Sequence, residues 1–169
     1  MTPFWEAVKI HGWMTLPEMI WLRETAINMP FGTNVVEVGS YKGRSAAAIS
    51  CPHINLTCVD VWEDNSHFKE FQRNMGTHGL NPKIIRKDTI EAAKEFQDGS
   101  VSWWFEDNGH INFAESLRAW YPKIAPDGLL SGHDFRDPRY PMIEETLKGW
   151  NVPFLVVPNT RIWYARKNW

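Results

Sequence analysis

The chain has 169 residues, 43% hydrophobic and 22% charged, a globular composition long enough to bury a core of its own. With a net charge of -2, an isoelectric point near 6.3 and charges of both signs interspersed, it carries no electrostatic footprint for nucleic acid or an anionic membrane. Two cysteines, Cys51 and Cys58, are too few for a disulfide framework or a zinc site, and Met1 to Trp13 holds no apolar stretch long enough for a signal peptide or membrane span, so a reducing, cytoplasmic setting is expected.

Short β-rich runs alternate with longer helical patterns, which predicts βαβ units and a parallel sheet. Thr15-Leu-Pro-Glu18 is a capping box with proline near the helix start, and Met19, Ile20, Leu22, Ala26 and Ile27 supply an apolar face up to a stop near Pro30 and Gly32. Strands are then predicted at 35–38, 56–59, 83–86, 101–105 and 129–132, and helices at 44–50, 67–76, 90–96, 113–124 and 142–150. Two last strands, 154–157 and 161–165, are separated by three residues, which leaves no room for a crossover helix and requires an antiparallel hairpin. No repeat, linker or low-complexity segment divides the chain, so residues 1–169 read as one domain, with 1–32 as an N-terminal helical segment able to act as a lid. The 10 tryptophans are unusual; burial accounts for them more readily than a dedicated aromatic acceptor site.

In an open α/β sheet, ligands bind beyond the carboxyl ends of the strands, so those ends carry the chemistry. The first strand runs into Glu37-Val-Gly39-Ser-Tyr-Lys-Gly43-Arg-Ser45, where Gly39 permits a tight turn, Gly43 lets backbone approach a ligand, and the next helix offers free N–H groups. The spacing matches neither a nucleotide-triphosphate loop nor Gly-x-Gly-x-x-Gly. The second strand ends at Asp60, followed by Trp62, and an acid there can accept from both hydroxyls of a ribose. Asp88 ends the third strand, placed either to meet an adenine amino group or to cap the next helix. The fourth and fifth strands end in Asp107-Asn-Gly-His110 and His133-Asp134, two polar clusters on one crevice edge, suited to a divalent metal or a general base. The remaining histidines, His11, His53, His67 and His78, read as surface residues.

Together these motifs resemble the class I S-adenosylmethionine-dependent methyltransferases, closest to a small O-methyltransferase-like branch with Asp-x-x-His and His-Asp motifs, over about Trp13 to Arg166. The resemblance implies a Rossmann-like three-layer α/β sandwich with a seven-stranded, mostly parallel sheet in the order 3-2-1-4-5-7-6. It implies that Glu37, Gly39, Ser40, Gly43 and Ser45 surround the methionine moiety of S-adenosylmethionine, that Asp60 and the neighbouring Trp62 hold the ribose, and that Asp88 lies near adenine. It further implies His110 as the base, Asp107 and Asp134 as catalytic carboxylates, and Asp107, His133 and Asp134 as ligands of a divalent metal. This chain departs from that pattern twice: Asp107-Asn-Gly-His110 stands for the family's Asp-Gly-Asp-His, and His133-Asp134 stands for the Glu-Asp of metal-dependent relatives, one carboxylate fewer in that pair.

The expected function is methyl transfer to an oxygen of a small molecule or sugar, with a small-molecule acceptor, no nucleic acid or membrane partner, and a homo-oligomer as a possible assembly. Two alternatives compete with it. One is a protein that binds the cofactor without turnover; the other is a nicotinamide-dependent oxidoreductase, against which the glycine spacing and terminal hairpin argue.

Overall fold

The computed structural model describes residues 4–109 and 112–167. Its sheet has seven strands, β1 (Thr33–Val38), β2 (Ile54–Asp60), β3 (Lys83–Arg86), β4 (Val101–Glu106), β5 (Ile124–Gly132), β6 (Leu155–Val156) and β7 (Trp163–Arg166), in the order β3-β2-β1-β4-β5-β7-β6. The first five run parallel, and β7 pairs antiparallel with both β5 and β6, which is the expected hairpin. The helices are α1 (Phe4–Ala7), α2 (Leu16–Ile27), α3 (Arg44–Ile49), α4 (Asn65–Thr77), α5 (Thr89–Ala93), α6 (Phe113–Trp120) and α7 (Met142–Gly149).

Two apolar layers flank the sheet. One holds Met19, Leu22, Ala46, Ile49, Phe71, Trp103 and Phe105, the other Val36, Val38, Trp104, Leu117, Trp120, Ile143 and Trp163. Five tryptophans, Trp62, Trp103, Trp104, Trp120 and Trp163, are buried, so packing does account for half of the 10. Both cysteines are free and buried. No helix among the described residues is long and apolar enough to cross a membrane.

Several local expectations need correction. The buried face of α2 is Glu18, Met19, Leu22 and Ala26, whereas Ile20 and Ile27 are exposed. The reason is that the helix turns a carboxylate inward at Glu18, which rotates the buried stripe. The fifth strand begins at Ile124 rather than 129, because Ile124 pairs with Val101 and Leu129 with Trp103, leaving a bulge around the left-handed Asp127. The helix predicted over 113–124 stops at Trp120 and tightens into a 3-10 turn at Tyr121–Lys123, where Pro122 cannot donate to an α-helical ladder. The short α1 lay outside the predicted elements.

Candidate functional site

Strand ends β1, β2, β4 and β5 converge on one edge of the sheet, and the turn after β1 is its hub. Gly39 has φ +88°, and a Cβ there would stand 2.1 Å from the carbonyl oxygen of Asp107 and 2.7 Å from the Asn108 nitrogen. Only glycine satisfies both the left-handed backbone and that closeness. Gly43 also has φ +88°, but what a side chain would meet there is Met75 Cε at 2.5 Å and the Phe71 ring. Close packing against α4 thus also requires glycine at this position. Tyr41, Trp62 and Asp134 are non-glycine residues in the left-handed region, and all three border this edge. Such backbone strain concentrates where geometry serves a site.

Directly under the turn, Glu37 is fully buried among Ser40, Ser45 and Cys58, and burial pushes its carboxyl up to about 7. Neither carboxylate oxygen has a partner in hydrogen-bonding geometry, and Ser40 Oγ is equally unpartnered.

A smaller cavity of about 260 Å³ lies between β1 and β2, lined by Gly39, Tyr41, Asp60, Asp88, Asp107 and Asn108. Asp60 accepts from the Tyr41 amide at 2.8 Å and the Trp62 amide at 2.7 Å, one on each oxygen. Each oxygen keeps a second lone pair. Asp88 caps α5 through Ile90 N at 2.8 Å, as one of its two readings expects, and it also lines the cavity. Trp62 is buried and braces the turn by donating from Nε1 to the Tyr41 carbonyl at 2.6 Å; it lines neither this cavity nor the larger one.

The larger cavity, about 760 Å³, is lined by Gly39, Ser40, Ser45, Asp107, His133 and Asp134, by Glu18, and by residues of the N-terminal segment and the loops after β5 and β6. Gly39 and Asp107 belong to both cavities. His133 is buried with Nδ1 3.1 Å from Asp134 Oδ1 and 3.4 Å from Asp107 Oδ1. Its Nε2 lies 3.2 Å from Glu18 Oε1, within ion-pair reach though out of line for a hydrogen bond. Burial works against a charged ring, but the charge of Asp107 and contacts with Asp107, Asp134 and Glu18 outweigh it and push the pKa up to about 12. Glu18 shows the reverse: burial opposes its charge, yet His133 and the amides of Arg161 and Thr15 hold it down at about 2. His110 lies outside the described residues.

Glu18 was legible only as a capping-box acid. It does reach back to the Thr15 amide at 2.7 Å, but its other oxygen accepts from Arg161 N at 2.9 Å and faces His133. An acid in a capping box carries no sequence signal for this second task. Arg44 was also missed. It opens α3 and donates from Nε to Met14 O at 3.1 Å and from Nη1 to Ile10 O at 2.6 Å and to Val8 O, tying the N-terminal segment to the glycine turn. Trp13, 73% exposed, leans on Tyr41 at 4.8 Å between ring centroids and lines both cavities. A tryptophan so exposed is the signal, but exposure is invisible in sequence.

A seven-stranded sheet in this order, with ligand-sized cavities at the strand ends, is the Rossmann-like α/β architecture. Residues 36–135 match the family model described as Methyltransferase domain, and the chain belongs to that family. Comparison with curated proteins finds no match. Among solved structures, a Corynebacterium glutamicum protein is similar with TM-score 0.77 at 12% identity, covering 92% of this chain and 82% of its own. The precorrin 8W decarboxylase of Methanobacterium thermoautotrophicum gives 0.75 at 15% identity over 98% of this chain and 99% of its own. A SAM-dependent O-methyltransferase from Thermotoga maritima gives 0.71 at 14% identity over 94% and 68%. At these identities the likeness concerns the fold.

Proposed function

We propose that this methyltransferase moves the methyl group of S-adenosylmethionine to an oxygen of a small-molecule acceptor. The observation that carries the reading is the meeting of two cavities at Gly39 and Asp107: one has the proportions and polar groups of a nucleoside pocket, the other opens beside it with a cluster of acid and imidazole groups. The cofactor fits the residues present. Asp60 retains an acceptor on each oxygen for a ribose, Asp88 lines the same cavity and would face adenine, and the unpartnered oxygens of Glu37 and Ser40 would suit the cationic methionine end beside Ser45. When bound, S-adenosylmethionine supplies an electrophilic methyl on a sulfonium.

The chain's own residues then have three tasks. Trp13, Tyr41 and the segment up to Glu18 line the cavity and would limit the water that reaches the reacting groups. Asp107 and Asp134 orient the acceptor hydroxyl in line with the methyl, which supplies much of the rate through proximity. His110 is the base that takes the hydroxyl proton. His110→Ala is expected to slow turnover by about two to four powers of ten with cofactor affinity nearly unchanged, read by single-turnover kinetics beside cofactor titration.

A divalent ion also fits. Asp107, His133 and Asp134 each offer one ligand atom, all within 4.8 Å of one another. One imidazole nitrogen with two carboxylates suits zinc or another borderline ion better than magnesium, which favours oxygen. Glu18 stands behind Nε2, where a carboxylate orients a metal-bound imidazole. Such an ion would polarise the acceptor hydroxyl.

The deciding measurement is a thermal-shift panel of S-adenosylhomocysteine, NAD and NADP, with and without magnesium or zinc. S-adenosylhomocysteine should stabilise the fold; stabilisation by a nicotinamide cofactor alone would overturn the proposal. Asp60→Ala should weaken S-adenosylhomocysteine by about 1–3 kcal/mol, the usual loss for a charged acceptor, in calorimetric titration of a variant that stays folded. Unchanged affinity would remove Asp60 from the ribose.

A further inference from the structure

We infer that the acceptor is an oxyanion, a small molecule whose carboxylate or phosphate docks on the paired guanidiniums of Arg139 and Arg161 in the larger cavity. This rests on the methyltransferase reading of that cavity and adds the acceptor's charge class to it.

The loop after β5 is built to hold these two side chains. Phe135 is buried against Phe154 at 5.2 Å between ring centroids, which pins the loop to the core. Two residues on, the Asp137 side chain is 4% exposed, and it faces no part of the chemistry assigned so far. Its carboxylate accepts from the Arg139 amide at 2.9 Å, Arg139 Nε at 3.0 Å, Arg139 Nη2 at 2.8 Å and Arg161 Nη1 at 2.5 Å. Those four bonds fill the acceptor capacity of a carboxylate. One negative charge thus serves two positive ones. The next carboxylate, Asp134, is 3.9 Å from Arg161 Nη1 and already faces His133.

Each guanidinium has five N–H donors, and Asp137 takes two from Arg139 and one from Arg161. The side chains remain 69% and 51% exposed while lining the cavity, so the surplus charge and the spare donors sit on a wall that a ligand can reach. A staple for the loop alone would need one arginine. Two held rigid by one buried carboxylate form a preorganised fork for a planar or tetrahedral oxyanion, with Tyr140, Asn159 and Thr160 along the same wall. The acids Glu18, Asp107 and Asp134 cluster around His133 in the same cavity, with Asp134 3.9 Å from Arg161 Nη1, so the more open Arg139 side chain is the cation farther from that cluster. An anionic acceptor would place its charged end on the spare donors of Arg139 and Arg161, within the cavity that Asp107 and Asp134 also line.

The test begins with S-adenosylhomocysteine in thermal shift, since a protein that ignores it fails the underlying reading whatever the arginines do. With that ligand saturating, inorganic phosphate and acetate are titrated against chloride at constant ionic strength. The expected result is a saturable rise in melting temperature in the millimolar range with at least one of the two, and which one responds separates a phosphate from a carboxylate acceptor. Because phosphate also stabilises proteins non-specifically, the comparison that decides is with variants. Arg139→Met, whose side chain is mostly exposed, should keep the fold and the S-adenosylhomocysteine response while weakening the anion at least tenfold, and Arg161→Met should do the same where it folds. No saturable anion response in the wild type, or one that Arg139→Met leaves unchanged, overturns the inference.

Discussion

Chelator-treated His133→Ala is expected to lose about 3–5 kcal/mol of folding stability in urea unfolding, the usual cost of stranding a buried charge. Glu18 is 2% exposed and would be left without its cation, while Asp107 and Asp134 would face each other across the gap. Replacing both partners by leucine should recover much of that loss, because an apolar pair of similar volume has no desolvation to offset. The pH profile follows from the signs. His133 rises from 6.5 to about 12, so its contribution is complete below about pH 6.5 and fades as pH climbs. Glu18 falls from 4.5 to about 2, so its contribution is complete above about pH 4.5 and fades under acid. The gap between wild type and His133→Ala should be widest between those two values. A loss under about 1 kcal/mol, or a gap flat with pH, would mean that the ring is not the cation holding these carboxylates together.

Gly39→Val should be the more damaging change for function. The Cβ would enter the Asp107 carbonyl at 2.1 Å, backbone against backbone, at φ +88°, where a β-branched residue is strained in any case. Strand ends β1 and β4 must then separate, which opens both cavities at their shared wall. The expected outcome is loss of S-adenosylhomocysteine binding with a stability loss of roughly 3 kcal/mol or more, since strain and overpacking add. Calorimetric titration and thermal melting read the two halves separately. A variant that binds and melts normally would show that the turn relaxes freely and that Gly39 does not fix Asp107.

Much of this fold is legible in the chain because local signals agree. The three-residue link before Arg161 leaves only a hairpin, and β3 occupies the predicted 83–86 without change. The boundaries that moved did so for tertiary reasons: a bulge let β5 recruit Ile124, and an inward Glu18 turned the face of α2. The site divides the same way. Asp60, Asp107, His133 and Asp134 are found from strand ends alone, as topology puts such positions on one edge. Glu18, Arg44 and Trp13 act through partners remote in sequence, Glu18 and Arg161 being 143 residues apart, and no spacing rule reaches that far. Gly43 and Trp62 also have structural tasks that the motif alone does not reveal, since Gly43 packs against α4 and Trp62 braces the turn at Tyr41.

The wall shared by the two cavities also limits how such an enzyme can change its acceptor. On the proposed reading, a substitution at Gly39 or Asp107 would alter cofactor retention and acceptor shape in one stroke, so neither position is free to diversify. Arg139 and Tyr140 in the loop after β5, and the turn at Asn159–Arg161, border the larger cavity alone. Selection or engineering for a new acceptor has its open ground there, where a residue can be rewritten without disturbing the half of the crevice on which every turnover depends.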